Sequence, residues 1–212
     1  WIEKDPFVRF SLKFTKHQRA FLSQSELEVL ESGQLSKGMH QKTRDVFVFA
    51  CYTGLSYIDV KLLCDDHIVR GIDGDYWIFT KREKNDEAVK IPLLDKALDI
   101  LKKYDQGTEN KSEKLLPVFS NQKINKYLKE VAAILKINKK LTFHAARHTF
   151  ATTVTLSNGV PIETVSKLLG HTKLSTTQIY ARVIEQKVSS DMRSLRSKLN
   201  TTGKAETRVH YQ

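Results

Sequence analysis

The chain has 212 residues, with 35 Lys and Arg against 24 Asp and Glu, which gives a formal net charge of +11 at pH 7. Its content of 40% hydrophobic and 28% charged residues is typical of a globular protein and excludes collagen-like, low-complexity and disordered chains. No run approaches the ~18 consecutive apolar residues of a membrane span, and the first five residues lack the pattern of a signal peptide. We therefore expect a protein of the cytoplasm with no membrane partner.

The positive charge is concentrated towards the C-terminus. From Lys136 onwards, 13 basic residues stand against four acidic ones, a net +9, whereas the first 135 residues carry 22 against 20, a net +2. A basic region of this kind is typical of proteins that bind a polyanion, because each phosphate contact releases condensed counterions. The charge indicates nucleic acid as a partner, with a merely solvated basic surface as the alternative.

The first part of the chain predicts three helices and then a small sheet. Ser23 and Glu26 have the spacing of a capping box, and Gly33 and Gly54 follow apolar helical stripes as stop signals. These helices are predicted at residues 23–34, 41–52 and 56–63. Three short β-rich runs separated by turn signals then predict an antiparallel sheet closed by Pro92, at residues 67–70, 75–80 and 88–91.

The remainder of the chain is predicted to be helical. The helices are expected at residues 95–104, 121–135, 144–157, 161–168, 175–181 and 185–199, with a polar loop at 106–113 and a tail at 201–212. The fold class is therefore mainly α with a small three-stranded antiparallel sheet (α+β). Cys51 and Cys64 are too few for a disulfide framework, and both are interpreted as reduced core residues.

Three clusters of residues could carry chemistry. In the first, His144 and Arg147 are three residues apart and share a helix face. In the second, His171 follows a helix end at Gly170, and Tyr180 comes nine residues later. The third is the segment 81–84, where strand alternation predicts that the side chains two apart, Arg82 and Lys84, point to one side.

These clusters, in this order, resemble the tyrosine recombinases, or phage-type integrases. The matching words are TGL (53–55), IPL (91–93), HAARHTFAT (144–152), LLGH (168–171) and TTQIYARV (176–183). The word TGLSYIDV (53–60) also resembles the integrases of conjugative transposons. The resemblance implies the tyrosine recombinase catalytic-domain fold over residues 23–184, after an N-terminal arm (1–22) and before a C-terminal helix and tail (185–212).

The resemblance also implies a reaction and the residues that perform it. Tyr180 would attack a DNA phosphodiester and form a 3′-phosphotyrosyl intermediate, so that neither ATP nor any other cofactor is needed. Arg147 would fork two phosphate oxygens, and His144 and His171 would donate to them or shuttle the phenolic proton. Lys84 would act as general acid towards the 5′-oxygen.

One position departs from the family pattern. Most members carry an Arg directly after TGL, and this chain has Ser56 there. Our hypothesis is that Arg82 supplies the missing guanidinium for substrate binding. Asp59 and Ser56 are then expected to support the site structurally, and Lys173 is predicted to contact the substrate.

The resemblance implies partners as well. Double-stranded DNA is the expected substrate, bound by a homo-tetramer that is associated with the bacterial nucleoid, and accessory DNA-bending proteins are possible partners. The chain lacks an initiator Met, so we expect a fragment that follows a helical DNA-binding domain and is a monomer by itself. The segment 185–199 is the candidate for exchange between protomers or for packing in cis, with an apolar face that comprises Val188, Met192, Leu195 and Leu199.

Other interpretations remain open at this point. The Ser56 position is compatible with a DNA-binding relative that has lost catalysis. His144 and His148 have the spacing of a metal pair in a nuclease, although no HExxH glutamate accompanies them and no metal site is predicted. His171 could instead be an imidazolium that caps a helix C-terminus.

Overall fold

The computed structural model describes residues 20–84, 86–105 and 114–181, together with six separate residues, 189, 192, 193, 195, 196 and 199. Within this part the fold is mainly α with one small sheet, so the predicted fold class is confirmed. The helices are α1 (Gln24–Ser32), α2 (Gly38–Thr53), α3 (Tyr57–Leu62), α4 (Asp95–Tyr104), α5 (Asn121–Ile134), α6 (Phe143–Thr149), α7 (Ile162–Leu169) and α8 (Leu174–Ala181). The strands are β1 (Ile68–Arg70), β2 (Tyr76–Lys81) and β3 (Ala88–Pro92), paired antiparallel in the order β1-β2-β3.

Helix α2 is the centre of the hydrophobic core. It packs against α1, α4, α5 and α6, and its Phe47 and Phe49 are fully buried. The helix ends at Gly54, whose φ of 67° lies in the left-handed region that favours glycine. A Cβ at Gly54 would lie 2.5 Å from the ring of Phe150, so the glycine also permits close packing against the segment that follows α6.

The predicted single helix at residues 144–157 changes its geometry midway. After α6 the chain continues as a π-helical turn (Phe150–Thr155) and then a 3₁₀ turn (Leu156–Asn158) that ends at Gly159. The hydroxyl of Thr155 donates to the carbonyls of Phe150 and Ala151, both at 2.9 Å, and so satisfies groups that the wider turn leaves without their usual α-helical bonds.

The prediction that Arg82 and Lys84 share a strand face is wrong, because β2 ends at Lys81. The backbone N–H of Arg82 donates to the carbonyl of Glu87, and its carbonyl accepts from the N–H of Asp86, both at 2.8 Å. These bonds close a turn in which strand alternation no longer applies. Arg82 points inward and is 4% exposed, whereas Lys84 lies exposed on the turn.

The segment that leads into α1 is hydrogen-bonded to the end of α6 and to the π-helical turn that follows it. Leu22 is fully buried, and its N–H donates to Thr149 Oγ1 at 2.9 Å, while its carbonyl accepts from the hydroxyl of Thr153. Lys139 also donates to the carbonyl of Phe21 at 2.8 Å. The chain therefore enters its first helix beside the C-terminal end of α6 and the π-helical turn. The predicted division into arm, catalytic domain and tail stays a prediction.

Other expectations meet mixed outcomes. Cys51 is buried, but Cys64 is partly exposed because it lies beyond the end of α3.

The predicted loop at 106–113, the tail at 201–212 and Val188 lie outside the described residues, as does most of the segment 185–199. Within that segment Met192, Leu195 and Leu199 are described and exposed. Among the described helices, none has the length and apolar character needed to traverse a bilayer.

Candidate active site

Arg147 links the ends of two helices. It projects from α6 and donates from Nη1 to the carbonyl of Gly54 at 2.8 Å and from Nη2 to the carbonyl of Leu169 at 2.5 Å. Gly54 caps α2, and Leu169 is the last residue of α7. Carbonyls at helix C-termini carry partial negative charge, so they are favourable partners for a guanidinium.

Arg82 brings a second guanidinium to the same place from the turn between β2 and β3. Its Nη1 donates to Asp59 Oδ2 at 2.7 Å, and its Nη2 donates to the carbonyl of Leu168 at 3.0 Å and approaches that of Gly54 at 3.5 Å. The Nε of Arg82 is buried and has no hydrogen-bond partner in the part of the chain that the structure describes. The two guanidiniums thus share one carbonyl of α2 and use consecutive carbonyls of α7.

Burial and the charge of Arg82 shift the pKa values of groups in and around the site. Burial, and then the positive charge of Arg82, lowers the pKa of Arg147 to about 10. Burial also lowers the pKa of Arg82, although its ion pair with Asp59 opposes that change. For Asp59, burial acts to raise the pKa, but the hydrogen bond and charge of Arg82 outweigh it and hold the pKa below its ordinary value. The site therefore has positive charge that an anion can neutralise.

Ser56 and Asp59 form the N-terminal cap of α3. The Ser56 N–H donates to Asp59 Oδ2 at 3.1 Å, and the Asp59 N–H donates to Ser56 Oγ at 3.4 Å, which makes a capping box. Asp59 Oδ1 also accepts from the N–H of Glu83 at 3.2 Å. The residue in the position of the missing arginine is thus connected to Arg82 through one carboxylate.

Tyr180 lies among histidine rings. It is 5% exposed, its ring centroid is 5.2 Å from that of His148 with a tilt of 53°, and it is parallel to the ring of His171 at 6.5 Å. His148 in turn contacts the exposed His144 edge-on, with centroids 4.4 Å apart. The Tyr180 side chain also interacts electrostatically with Arg147. A phenol, three imidazoles and a guanidinium are therefore neighbours.

His171 is held by a hydroxyl and stays neutral near pH 7. Its Nδ1 lies 2.8 Å from Thr177 Oγ1. Burial, then the charges of Arg147 and Arg82, lowers the pKa of His171 to about 4. The interpretation of His171 as an imidazolium cap does not fit this site, because the carbonyls at the end of α7 already accept hydrogen bonds from the two guanidiniums.

The predicted residues divide into two groups. The first group converges at the ends of α2 and α7: Ser56, Asp59, Arg82, Arg147, His171 and Tyr180. In the second, Lys84 and Lys173 are exposed at the surface, and the exposed His144 contacts the ring of His148, which in turn contacts that of Tyr180. From the sequence, His148 is considered only as half of a metal pair with His144, which is not predicted, and it is assigned no role beside Tyr180.

A metal-dependent site finds no support in the described part of the chain. No group of three His, Cys, Asp or Glu side chains is arranged there so that it could hold a metal ion. The pair His144 and His148 accordingly lacks a third ligand among these residues.

Comparison with known proteins identifies the family. The model of the phage integrase family matches residues 21–187. The chain is 30% identical over 198 residues to the tyrosine recombinase XerD of Lacticaseibacillus casei, covering 87% of this chain and 66% of that protein, and 30% identical over 201 residues to XerD of Staphylococcus haemolyticus, covering 87% and 65%. The chain thus spans slightly less than two thirds of the length of these relatives.

Solved structures have the same fold. The crystal structure of XerA recombinase aligns with a TM-score of 0.62 at 23% identity, covering 93% of this chain and 68% of that one. The integrase of transposon Tn1549, in complex with transposon right end DNA, aligns with a TM-score of 0.63 at 18% identity, covering 92% and 73%. The chain therefore belongs to the phage integrase family of tyrosine recombinases, and its described residues have the catalytic-domain fold of that family.

Proposed function

We propose that this chain is the catalytic part of a site-specific DNA recombinase with Tyr180 as nucleophile. The phenolic oxygen forms a bond to phosphorus as the bond from phosphorus to the 5′-oxygen breaks, which leaves a 3′-phosphotyrosyl link and a 5′-hydroxyl. The reverse attack by a 5′-hydroxyl of another strand rejoins the DNA without ATP or a metal ion. The observation that carries the proposal is the convergence of Tyr180 with two guanidiniums that come from distant parts of the chain.

The two guanidiniums suit the charge that develops during the reaction. A phosphorane carries more negative charge on its non-bridging oxygens than the diester does, and preorganised donors lower its energy. Arg147 and Arg82 hold carbonyl oxygens of Gly54, Leu168 and Leu169. In the proposed complex with DNA, phosphate oxygens take up some of these donors, and an anion between the cations relieves their mutual repulsion.

Arg82 is our candidate for the role of the arginine that is missing at Ser56. Its guanidinium shares a carboxylate with the Ser56 cap and shares the Gly54 carbonyl with Arg147. Its Nε is a buried donor without a partner among the described residues, and such a donor costs free energy unless a bound group accepts from it. These contacts support Arg82 as the second arginine of the phosphate site.

The Arg82 assignment has a direct test by compensation. The change Arg82→Ala is expected to lower DNA cleavage by roughly 10²–10³-fold, the cost of one preorganised donor at such sites. The combination Ser56→Arg with Arg82→Ala returns a guanidinium to the usual family position and is expected to recover part of that loss. Parental cleavage by the Arg82→Ala protein would eliminate the assignment.

The remaining residues have auxiliary roles in this proposal. Neutral His171 donates to a phosphate oxygen or accepts the phenolic proton, and His144 assists from the exposed side of the ring cluster. Lys84 protonates the leaving 5′-oxygen from its exposed turn, and Lys173 contacts the DNA backbone near the end of α7. No cofactor is included in the proposal.

The proposal extends to partners and location. The Tn1549 integrase structure contains DNA, and we infer that double-stranded DNA is also the substrate of this protein. We further propose a homo-tetramer on DNA that exchanges or packs residues 185–212, acting with DNA-bending proteins on the bacterial nucleoid. An isolated catalytic part is expected to remain monomeric.

Covalent capture tests the function without a known recognition site. The full-length protein that contains this chain is incubated, in excess EDTA, with nicked duplexes whose central segment is randomised, and DNA that remains attached to protein in detergent is recovered and sequenced. An enriched sequence attached through Tyr180, absent with Tyr180→Phe, is the expected result. Capture that is unchanged by Tyr180→Phe, or no capture at all, would contradict the proposal.

The same experiment decides a second candidate function. Ser56 in the position of the usual arginine favours a DNA-binding relative without catalysis. Such a protein would retain sequence-specific duplexes in a native gel and yield no detergent-resistant adduct.

A further inference from the structure

His148 connects the two parts of the proposed site. It is 2% exposed, and its ring contacts both His144 of its own helix and Tyr180 of α8. We propose that His148 is a positioning residue: its imidazole packs against the phenol of Tyr180 and fixes the nucleophile relative to the phosphate site. This inference rests on the proposed function of Tyr180.

The backbone that carries the His148 ring is held within a helix. His148 lies in α6, and its carbonyl accepts a hydrogen bond of 2.6 Å from the hydroxyl of Thr152. The preceding residue is Arg147, whose guanidinium is anchored on the carbonyls of Gly54 and Leu169. Arg147, the proposed phosphate-binding residue, and His148, whose ring lies beside Tyr180, are therefore consecutive residues of α6. The same stretch of backbone positions both side chains.

Tyr180 depends on such neighbours for its position. It belongs to the eight-residue helix α8, which packs on α7 and on the π-helical turn. Its ring lies in a small apolar cluster with Phe150, Val165 and Leu169, and its contact with His148 is tilted by 53°. Removing the imidazole leaves space beside the phenol, which the phenol can enter by rotation. A misplacement of 1 Å at a reacting group can lower a rate by ~10²-fold.

Another buried histidine offers a matched control. His40 is 3% exposed, its Nε2 lies 2.7 Å from Glu130 Oε2, and its ring is 5.9 Å from that of Tyr127 at 71°. His40 belongs to α2 and Tyr127 to α5, and neither is part of the proposed site. It is buried to nearly the same degree as His148 and also contacts a tyrosine ring, although edge-on, and that tyrosine is not the proposed nucleophile.

The test compares three variants of the full-length protein: His148→Leu, His148→Phe and His40→Leu. Single-turnover cleavage of the nicked duplex recovered by covalent capture is measured at saturating protein, together with Kd for that duplex and Tm. We expect His148→Leu to slow cleavage by about 10–100-fold at an unchanged Kd, because only the nucleophile is displaced. His148→Phe, which retains a ring, is expected within about threefold of the parent, and His40→Leu is expected to lower Tm without slowing cleavage.

Several results would overturn the inference. They are parental cleavage by His148→Leu, a His148→Phe protein as slow as His148→Leu, and a loss of cleavage in His40→Leu equal to that in His148→Leu. Should His148→Leu fail to fold, His148→Asn, which also lacks an aromatic ring, replaces it in the comparison with His148→Phe. If the parent protein forms no adduct through Tyr180, both the proposed function and this inference are overturned. If the parent forms the adduct and His148→Leu cleaves DNA at the parental rate, only the inference is overturned.

Discussion

At the scale of single residues, the ion pair of Arg82 and Asp59 is the most sensitive contact. Both side chains are buried, at 5% and 2% exposure, and the N–O distance is 2.7 Å. Removal of one partner leaves the other charge buried without compensation, which is far more costly than the loss of an exposed pair. The contact that holds Arg82 in the proposed phosphate site therefore also stabilises the fold.

The change Arg82→Met is expected to lower the free energy of unfolding by ~3–5 kcal/mol, because Asp59 loses its cation. Lys96→Met is the matched control, since Lys96 is 59% exposed and pairs with Glu31 at 3.2 Å; its expected cost is ~0–1 kcal/mol. Denaturant unfolding measures both. Equal costs for the two variants would contradict the importance that we assign to the buried pair.

His171 gives stability a specific dependence on pH. Its pKa is about 4 in the folded protein against an ordinary value of 6.5. The unfolded chain therefore binds more protons between these values, so stability is complete above pH 6.5 and falls as the pH decreases towards 4. The loss is at most ~3 kcal/mol at 1.36 kcal/mol per pKa unit, and solvent at the partly exposed ring reduces it.

The variant His171→Gln is expected to remove this contribution. Chemical denaturation at a series of pH values between 7 and 4, for parent and variant, measures it as a difference in slope. Parent and variant curves that run parallel across this interval would show that His171 titrates normally.

The sequence predicted part of the site at this scale. Arg147, His171 and Tyr180 lie near one another, as the family resemblance implied, and the helices that carry Arg147 and Tyr180 were predictable from local patterns. The inward position of Arg82 was not predictable from strand alternation, since it depends on where β2 ends and on a carboxylate 23 residues earlier. The burial of His148 was equally hidden, because His144 has the same helical phase and is exposed.

At the scale of elements, the π-helical turn after α6 is the feature that local patterns missed. The capping box at Ser23 and the stops at Gly54 and Gly170 were predicted because they are signals between near neighbours. The π-helical turn instead depends on packing, since the ring of Phe150 fills the space left by Gly54. Turns of this kind are frequent beside functional sites.

Thr155 is expected to stabilise this turn through its hydroxyl. Thr155→Val keeps the shape and removes the donor to the carbonyls of Phe150 and Ala151, so it should cost ~1–3 kcal/mol of unfolding free energy. Thr164→Val on the exposed surface of α7 is the control, with an expected change within about 0.5 kcal/mol. Thermal or denaturant unfolding that does not distinguish the two variants would argue against this role of the hydroxyl.

At the scale of the whole molecule, the site exists only because distant segments meet. It combines the end of α2, the cap of α3, the turn after β2, the helix α6 and the end of α7. The order of elements was predictable from the sequence, whereas their meeting at the Gly54 carbonyl was not. The segment at Leu22 is fixed to this assembly through Thr149 and Thr153, so the chain that precedes α1 is attached to the helix that carries Arg147.

The distribution of charge over the molecule predicts where DNA lies. Lys167, in the last turn of α7, and Lys173, just before α8, are exposed beside the proposed phosphate site, within the region of net +9. The double change Lys167→Gln with Lys173→Gln is expected to weaken binding to a random-sequence duplex and to reduce the slope of log K against log salt by about 2, at ~0.9 per phosphate contact. Lys42→Gln with Lys102→Gln removes the same charge from exposed positions on α2 and α4 and is expected to leave the slope unchanged.

Fluorescence anisotropy at several salt concentrations measures the affinity and the salt slope of both double variants. Equal effects of the two pairs would mean that net charge alone, and not this face of the molecule, determines binding.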